Sequence, residues 1–392
     1  MDYEKLIGKT AAEIKPSGIR KYFDVAATMD DVISLGVGEP DFHTPWQIRR
    51  EAIVALERGK TFYTANSGLM SLRKAISEYT EKHTGVTYDP ASEIIVTVGG
   101  SEAIDLTIRA IVEQGDEVII PEPSFVCYKP IVELTGGKPV IIETKAEDSF
   151  KLTAEELKAA ITEKTKLLIL PYPNNPTGAI MEREDLEKIA EVLRGTNIAV
   201  LSDEIYSELT YGKEHFSIIS LDGMKERTIY VNGFSKAFAM TGWRLGYMCA
   251  PHEITMQALK IHQFGIMSSP TISQYAAIEA LTNSENDVKH MVSEYDIRRR
   301  YLVNAFRELG LDCFTPEGAF YVFPSIKSTG LTSDEFCDKL LHSKRVAVIP
   351  GNAFGDCGEG YIRVSYAYSL RHLMEAVSRI KEFLEDLRNG DA

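Results

Sequence analysis

Between residues 94 and 249 the sequence alternates between short apolar runs and amphipathic segments, a regularity that leaves few folds open. The runs 94–98, 118–120, 139–142, 166–170, 198–201, 228–231 and 244–249 are nearly continuous in apolar, often β-branched residues. Strands covered on both faces read this way. Helices are expected over 101–113, 125–134, 154–161 and 183–193. This alternation predicts an α/β fold, a mostly parallel sheet flanked by helices and joined by right-handed crossovers. Ligands bind such sheets beyond the carboxyl ends of the strands. Ser101, Asn175, Asp203 and Lys236 each fall just after a strand run, so all four are expected at one edge.

The flanks differ. A short strand at 32–35 leads into Gly36-Val37-Gly38-Glu39, and helices at 45–58 and 68–83 are separated by Thr61-Phe62-Tyr63-Thr64. After a long helix over 285–309 come only short apolar runs at 318–323, 346–350 and 361–367, which suggests a smaller α+β domain. The expected division is 1–40 as an N-terminal arm with part of the small domain, 41–288 as a large ligand-binding domain, and 289–392 as the small C-terminal domain. A chain of 392 residues can bury about three quarters of its unfolded surface, so core size sets no limit.

The formal net charge is −14, which argues against nucleic acid or an anionic membrane as a main partner. Any anionic ligand must then be held by local cations. Five cysteines without a C-x-x-C pair read as reduced thiols, and the eight histidines show no paired metal spacing, so no metal is expected. The first residues lack a basic-then-apolar leader and no apolar run approaches 18 residues, so the expected location is cytoplasmic.

Four stretches carry chemistry. In 232–246 a lysine, Lys236, follows Gly233-Phe234-Ser235 at the exit of an apolar run, among Phe234, Phe238, Met240 and Trp243. An amine there has its pKa lowered and becomes a nucleophile for a carbonyl, while Ser235 and Arg244 suit a phosphate; a buried-stem lysine beside a structural arginine is the bland alternative. Val98-Gly99-Gly100-Ser101 reads as a strand end, two glycines and an N-cap serine, either an anion site or a plain strand–helix turn. Pro173-Asn174-Asn175-Pro176-Thr177-Gly178 is a stiffened loop that either aims the Asn175 amide or merely turns the chain. Asp203, with Tyr206 three residues on, is either a helix cap or the partner of a cationic ring nitrogen. Unit charges about 4 Å apart at an effective dielectric of about 20 interact by about 4 kcal/mol. That is about three pKa units, enough to keep a pyridine nitrogen protonated at neutral pH.

A lysine for an imine, an aspartate for a pyridinium, and a serine, an arginine and a helix start for a phosphate together suit pyridoxal 5′-phosphate. On these motifs the chain resembles the class I/II aminotransferases, fold type I enzymes of the aspartate/aromatic aminotransferase superfamily. The resemblance runs from about Ile19-Arg20 to Arg363-Val364-Ser365-Tyr366-Ala367. It implies that Lys236 takes the cofactor aldehyde and shuttles a proton, and that Asp203 pairs with the ring nitrogen. Asn175 and Tyr206 would bond the ring oxygen, and Gly100, Ser101, Ser235 and Arg244 the phosphate. Phe125 would stack on the ring. Arg363 would grip the substrate α-carboxylate, helped by Gly38 and Asn175. Tyr63 would reach the phosphate of a neighbouring subunit, which implies a homodimer with shared active sites.

The implied activity is amino transfer from an aromatic or aspartate-like L-amino acid to 2-oxoglutarate, in ping-pong order. A β-lyase or synthase, or an N-acetyl-diaminopimelate aminotransferase, is the alternative on the same scaffold. One departure stands out: relatives acting on aspartate hold its side chain with an arginine or lysine, some at the position of Ser101, and no substitute is evident here. The arm Ile19-Arg20-Lys21-Tyr22-Phe23 looks closer to aromatic and broad-range members, and also to N-acetyl-diaminopimelate aminotransferases.

Overall fold

The structure is a computed structural model that describes residues 1–16, 18, 19, 25 and 28–390. Its centre is a seven-stranded sheet formed by β2 (Ile94–Thr97), β3 (Glu117–Glu122), β4 (Lys138–Glu143), β5 (Thr165–Leu170), β6 (Ala199–Asp203), β7 (Thr228–Gly233) and β8 (Gly246–Cys249). The spatial order is β2-β8-β7-β6-β5-β3-β4, and only β8 runs antiparallel to its neighbours. The mostly parallel sheet read from the sequence is present. Successive residues of each strand face opposite layers. Ile95, Val118, Leu167, Leu201 and Val231 pack in one core, whereas Ile94, Ile119, Leu168, Val200 and Tyr230 pack in the other. Both faces are dry, hence the unbroken apolar runs. A buried aliphatic side chain of this kind contributes roughly 1.5–3 kcal/mol.

Helices cover both faces. On one side lie α3 (Gly100–Ile111), α4 (Tyr128–Leu134) and α7 (His252–Gly265), through Ile104, Val132 and Ala258. On the other lie α2 (Met70–Thr84), α6 (Arg183–Leu193) and α8 (Thr271–Asn283), through Ile76, Ile189 and Ala277. α1 (Trp46–Glu57) and α5 (Ala154–Ala160) complete this part of the chain. The helices α7 and α8 have no counterpart in the sequence reading. Apolar and small residues run almost around α8, which erases the one-sided pattern that marks an amphipathic helix.

Beyond α9 (Glu285–Glu308) stand α10 (Ser333–Lys344), α11 (Leu370–Asn389) and a small three-stranded sheet. Its strands are β9 (Tyr321–Val322), β11 (Ile349–Pro350) and β12 (Ile362–Ser365), in the order β11-β12-β9. The run at 346–350, expected as one strand, is divided between two sheets. β10 (Val346–Ala347) pairs in parallel with β1 (Ile33–Ser34), whereas β11 pairs with β12. The N-terminal segment is thereby stitched to the C-terminal third, which carries Gly36 and Gly38 to β12 and Arg363.

Candidate active site

The carboxyl ends of β2, β5, β6 and β7 open into one cleft of about 300 Å³. The turn after β7 explains how Lys236 and Arg244 reach it together. Gly233 and Gly246 face each other in the β7–β8 pair, so residues 234–245 form an excursion at that sheet edge and both side chains return to it. Gly38, Gly100, Ser101, Phe125, Asn175, Asp203, Tyr206, Ser235, Lys236, Arg244 and Arg363 all line this cleft. Tyr63 alone of the expected set does not; it is 82% exposed on the surface. The arm residues Arg20, Lys21, Tyr22 and Phe23 lie outside the described residues.

Lys236 donates from Nζ to the carbonyl oxygen of Gly38 at 2.5 Å. Its amine does not sit among Phe234, Phe238, Met240 and Trp243 as expected. It lies 5.7 Å from the ring centroid of Tyr206 and 5.6 Å from that of Phe320. Loss of hydration, followed by the charges of Arg363 and Arg244, pushes its pKa down to about 8, with Glu39 and Asp203 pulling the other way. At neutral pH about one lysine in ten is then a free amine, some two orders of magnitude more than for a solvated lysine.

Asp203 is buried at the end of β6. Tyr128 Oη donates to its Oδ2 at 2.7 Å and the backbone N–H of Ile205 to its Oδ1 at 3.3 Å. It caps no helix. Burial pushes its carboxyl upward despite those two donors. A cation placed beside it would hold it ionised. Tyr128, which sequence reasoning gave no role, follows Phe125 by three positions, and the two rings meet edge to face with centroids 5.9 Å apart.

At the start of α3 the sequence expectation needs correction. The N-cap is Gly99, not Ser101, which lies inside the first turn. Gly99 has φ 78°, and a Cβ there would stand 2.7 Å from an Arg244 guanidinium nitrogen, so only glycine lets that cation approach the free N–H groups of the helix. Arg244 itself is exposed, holds φ 50° and forms no ion pair with any described residue. A non-glycine residue in that region costs on the order of 1 kcal/mol. A helix start, two hydroxyls and an unpaired arginine make a place for a phosphate.

Arg363 is 2% exposed. It donates from Nη1 to Asn175 Oδ1 at 2.8 Å and from Nη2 to the Gly36 carbonyl at 2.5 Å, while its buried Nε has no partner. Its guanidinium lies between the rings of Tyr321 and Phe354, at 4.4 and 4.7 Å. No carboxylate among the described residues faces it. Burial lowers its pKa without discharging it, so this cation calls for an anionic ligand. The Asn175 loop is held by its neighbour as well as by prolines, since Asn174 Oδ1 accepts from the N–H and hydroxyl of Thr177.

These residues fit pyridoxal 5′-phosphate. The cleft offers a neutralisable amine, a buried carboxylate that forms no ion pair with any described residue, an arginine at a helix start for phosphate, and a second arginine with an orphaned buried N–H for a carboxylate. Among the described residues no group of histidines, cysteines or carboxylates could hold a metal ion.

The family described as aminotransferase class I and II matches residues 30–380. The Bacillus subtilis protein YugH, named as an aminotransferase, is 54% identical over 95% of this chain and 96% of its own. The aspartate aminotransferase of Pyrococcus abyssi is 48% identical over 95% of this chain and 97% of its own. The crystal structure of an aromatic aminotransferase from Pyrococcus horikoshii superposes with a TM-score of 0.90 at 46% identity, covering 94% of this chain and 99% of that one.

Proposed function

Because the chain belongs to the class I and II aminotransferases and is a pyridoxal-phosphate-dependent transaminase acting on amino acids and 2-oxo acids, we propose that it transfers the amino group of an aromatic or aspartate-like L-amino acid to 2-oxoglutarate in ping-pong order. One observation carries this reading. Arg363, buried and without a carboxylate partner among the described residues, shares a cleft with an amine whose pKa is depressed to about 8. A fork of N–H donors at that depth recognises the α-carboxylate common to amino and 2-oxo acids.

The bound cofactor supplies an electron sink for the charge left when a proton leaves the substrate Cα. The chain's own groups do the rest. With the cofactor bound, Lys236 would be the base that takes the proton from the substrate Cα and the acid that gives it up again. Asp203, backed by Tyr128, keeps the ring nitrogen charged. Asn175 and Tyr206 would donate to the ring oxygen, Phe125 would cover the ring, and Gly100, Ser101, Ser235 and Arg244 would hold the phosphate. Gly38 and Arg363 orient the carboxylate.

A homodimer is part of this reading. Tyr63 follows Phe62 in a segment packed near the one that carries Phe264 and Met267, and these three neighbours are 81, 94 and 46% exposed. Hydrogen bonds from Thr271 to the Phe62 carbonyl and from Asn66 to the Met267 carbonyl hold these segments together. An exposed apolar patch of this kind supports burial against a second copy, with Tyr63 reaching the neighbour's phosphate. A boundary near residue 288 and a cytoplasmic location complete the reading.

The test is a half-reaction screen. Purified holoenzyme is mixed with single amino acids, acylated diaminopimelate included, and the absorbance change that marks amino transfer is followed. Aromatic or acidic amino acids are expected to convert the cofactor fully, and 2-oxoglutarate to restore it. Ammonia and pyruvate formed when no 2-oxo acid has been added would overturn the proposal.

A further inference from the structure

We infer that Tyr321 is a positioning residue, with a hydroxyl that tunes Tyr206 and a ring that steadies Arg363, so that one side chain couples the two ends of the cleft. This rests on the reading of Tyr206 and Arg363 given above. Tyr321 lies in β9 and is 1% exposed. It stands opposite Ser365 of β12, two residues from Arg363. Residues two apart on a strand share a face, which makes Tyr321 a diagonal neighbour of Arg363. The Arg363 guanidinium carbon accordingly sits 4.4 Å from its ring centroid. The hydroxyl extends past that contact to lie 2.9 Å from Tyr206 Oη. It also fills the space a side chain at Gly38 would need, since a Cβ there would stand 2.3 Å from Tyr321 Oη.

A phenol carries one proton to donate. When Tyr206 gives its proton to an acceptor in the cleft, the Tyr206–Tyr321 bond can only run from Tyr321 to Tyr206. A hydroxyl that accepts a hydrogen bond donates more strongly, by roughly 10–30%. Tyr321 therefore sets both the direction and the strength of the Tyr206 hydrogen bond. On its ring side, the negative π face meets a cation that no described carboxylate neutralises, and Phe354 lies 4.7 Å from the same guanidinium.

The two roles separate by substitution. Holoenzyme carrying Tyr321→Phe, Tyr321→Leu or Tyr206→Phe is titrated for the pH at which the bound cofactor changes absorbance, and KM is measured for one good amino-acid substrate. Melting temperature and cofactor stoichiometry verify that each variant folds. Tyr321→Phe keeps the ring, so KM stays within about threefold of the parent, while the spectral midpoint rises in the same direction as for Tyr206→Phe and by less. Tyr321→Leu shifts the midpoint similarly and raises KM about tenfold or more. A Tyr321→Phe midpoint equal to the parent's, with Tyr206→Phe displaced, would overturn the inference and spare the Tyr206 assignment. Variants that lose only melting temperature, with midpoint and KM unchanged, would also overturn it. If Tyr206→Phe itself leaves the midpoint unmoved, the underlying Tyr206 reading fails and this inference with it.

Discussion

Asn175 and Arg363, 188 positions apart in the chain, share a hydrogen bond of 2.8 Å from guanidinium to amide oxygen. One comes from the loop after β5 of the large sheet, the other from β12 of the small one. The bond spends the amide oxygen of Asn175 on Arg363 and leaves its NH₂ to point into the cleft. On the proposed reading, a single asparagine would serve both the ring of the cofactor and the arginine assigned to the substrate carboxylate.

Replacing Arg363 by alanine removes a preorganised bidentate donor and its charge. KM for α-amino acids is expected to rise about 100-fold or more, with kcat less affected. Arg363→Lys recovers only part of this, because a point charge cannot reproduce the fork. Steady-state kinetics on an amino acid and on its decarboxylated amine check the claim. An equal loss for the amine would remove Arg363 from its role.

Asp203→Asn keeps the shape of the side chain and deletes its charge. The charge is worth about 4 kcal/mol toward a cation at about 4 Å, so kcat is expected to fall by about three orders of magnitude. Tyr128→Phe deletes one donor to that carboxylate. Its effect is expected at about tenfold or less. The measurement is single-turnover transamination; a milder loss for Asp203→Asn than for Tyr128→Phe would refute the assignment.

Removing the cofactor leaves Lys236 as a poorly hydrated cation. Its pKa is about 8 in the fold against 10.5 when solvated, so the unfolded chain binds more protons between those values and stability rises with pH across that window. Below pH 8 the penalty is constant and complete. Apoprotein carrying Lys236→Met is thus expected to resist urea better than the parent at pH 7, with the gap closing toward pH 10. A gap independent of pH, in midpoints measured at pH 7, 8, 9 and 10, would show that the amine is well hydrated.

Sharing of sites between subunits is tested by mixing defects. Tyr63→Ala is expected to weaken cofactor binding about 10- to 100-fold by loss of one hydrogen bond to a charged group. Co-expression with Lys236→Ala produces mixed dimers in which one site carries both intact residues. Half the sites of isolated mixed dimers should bind cofactor as tightly as the parent. Mixed dimers no better than Tyr63→Ala alone would place Tyr63 in its own subunit's site, or outside it.

Most of the cleft was legible because its parts are local. Gly99, Asn175, Asp203 and Lys236 each lie at or just beyond a strand end, where a break in an apolar run is visible in the sequence. Chain direction in a parallel sheet then brings those ends to one edge, so an alternation of runs amounts to a statement about a site. Even the chemistry was readable, since a lysine, an aspartate and an arginine in those places need complementary ligands.

What the alternation could not reveal was contact between distant strands. Nothing near position 321 announces that its hydroxyl meets Tyr206, or that its ring lies against Arg363. The splitting of 346–350 between two sheets is equally silent, because each half looks apolar and only its partner strand distinguishes it. The depressed amine of Lys236 likewise depends first on burial, and then on Arg363 and Arg244, cations placed by the turn of one strand pair and the pairing of another. Local pattern determines which residues stand at an edge, because a strand's period and direction are properties of a few consecutive residues. Which side chains face one another across that edge depends on register and packing between segments far apart in the chain, and that the folded structure alone decided.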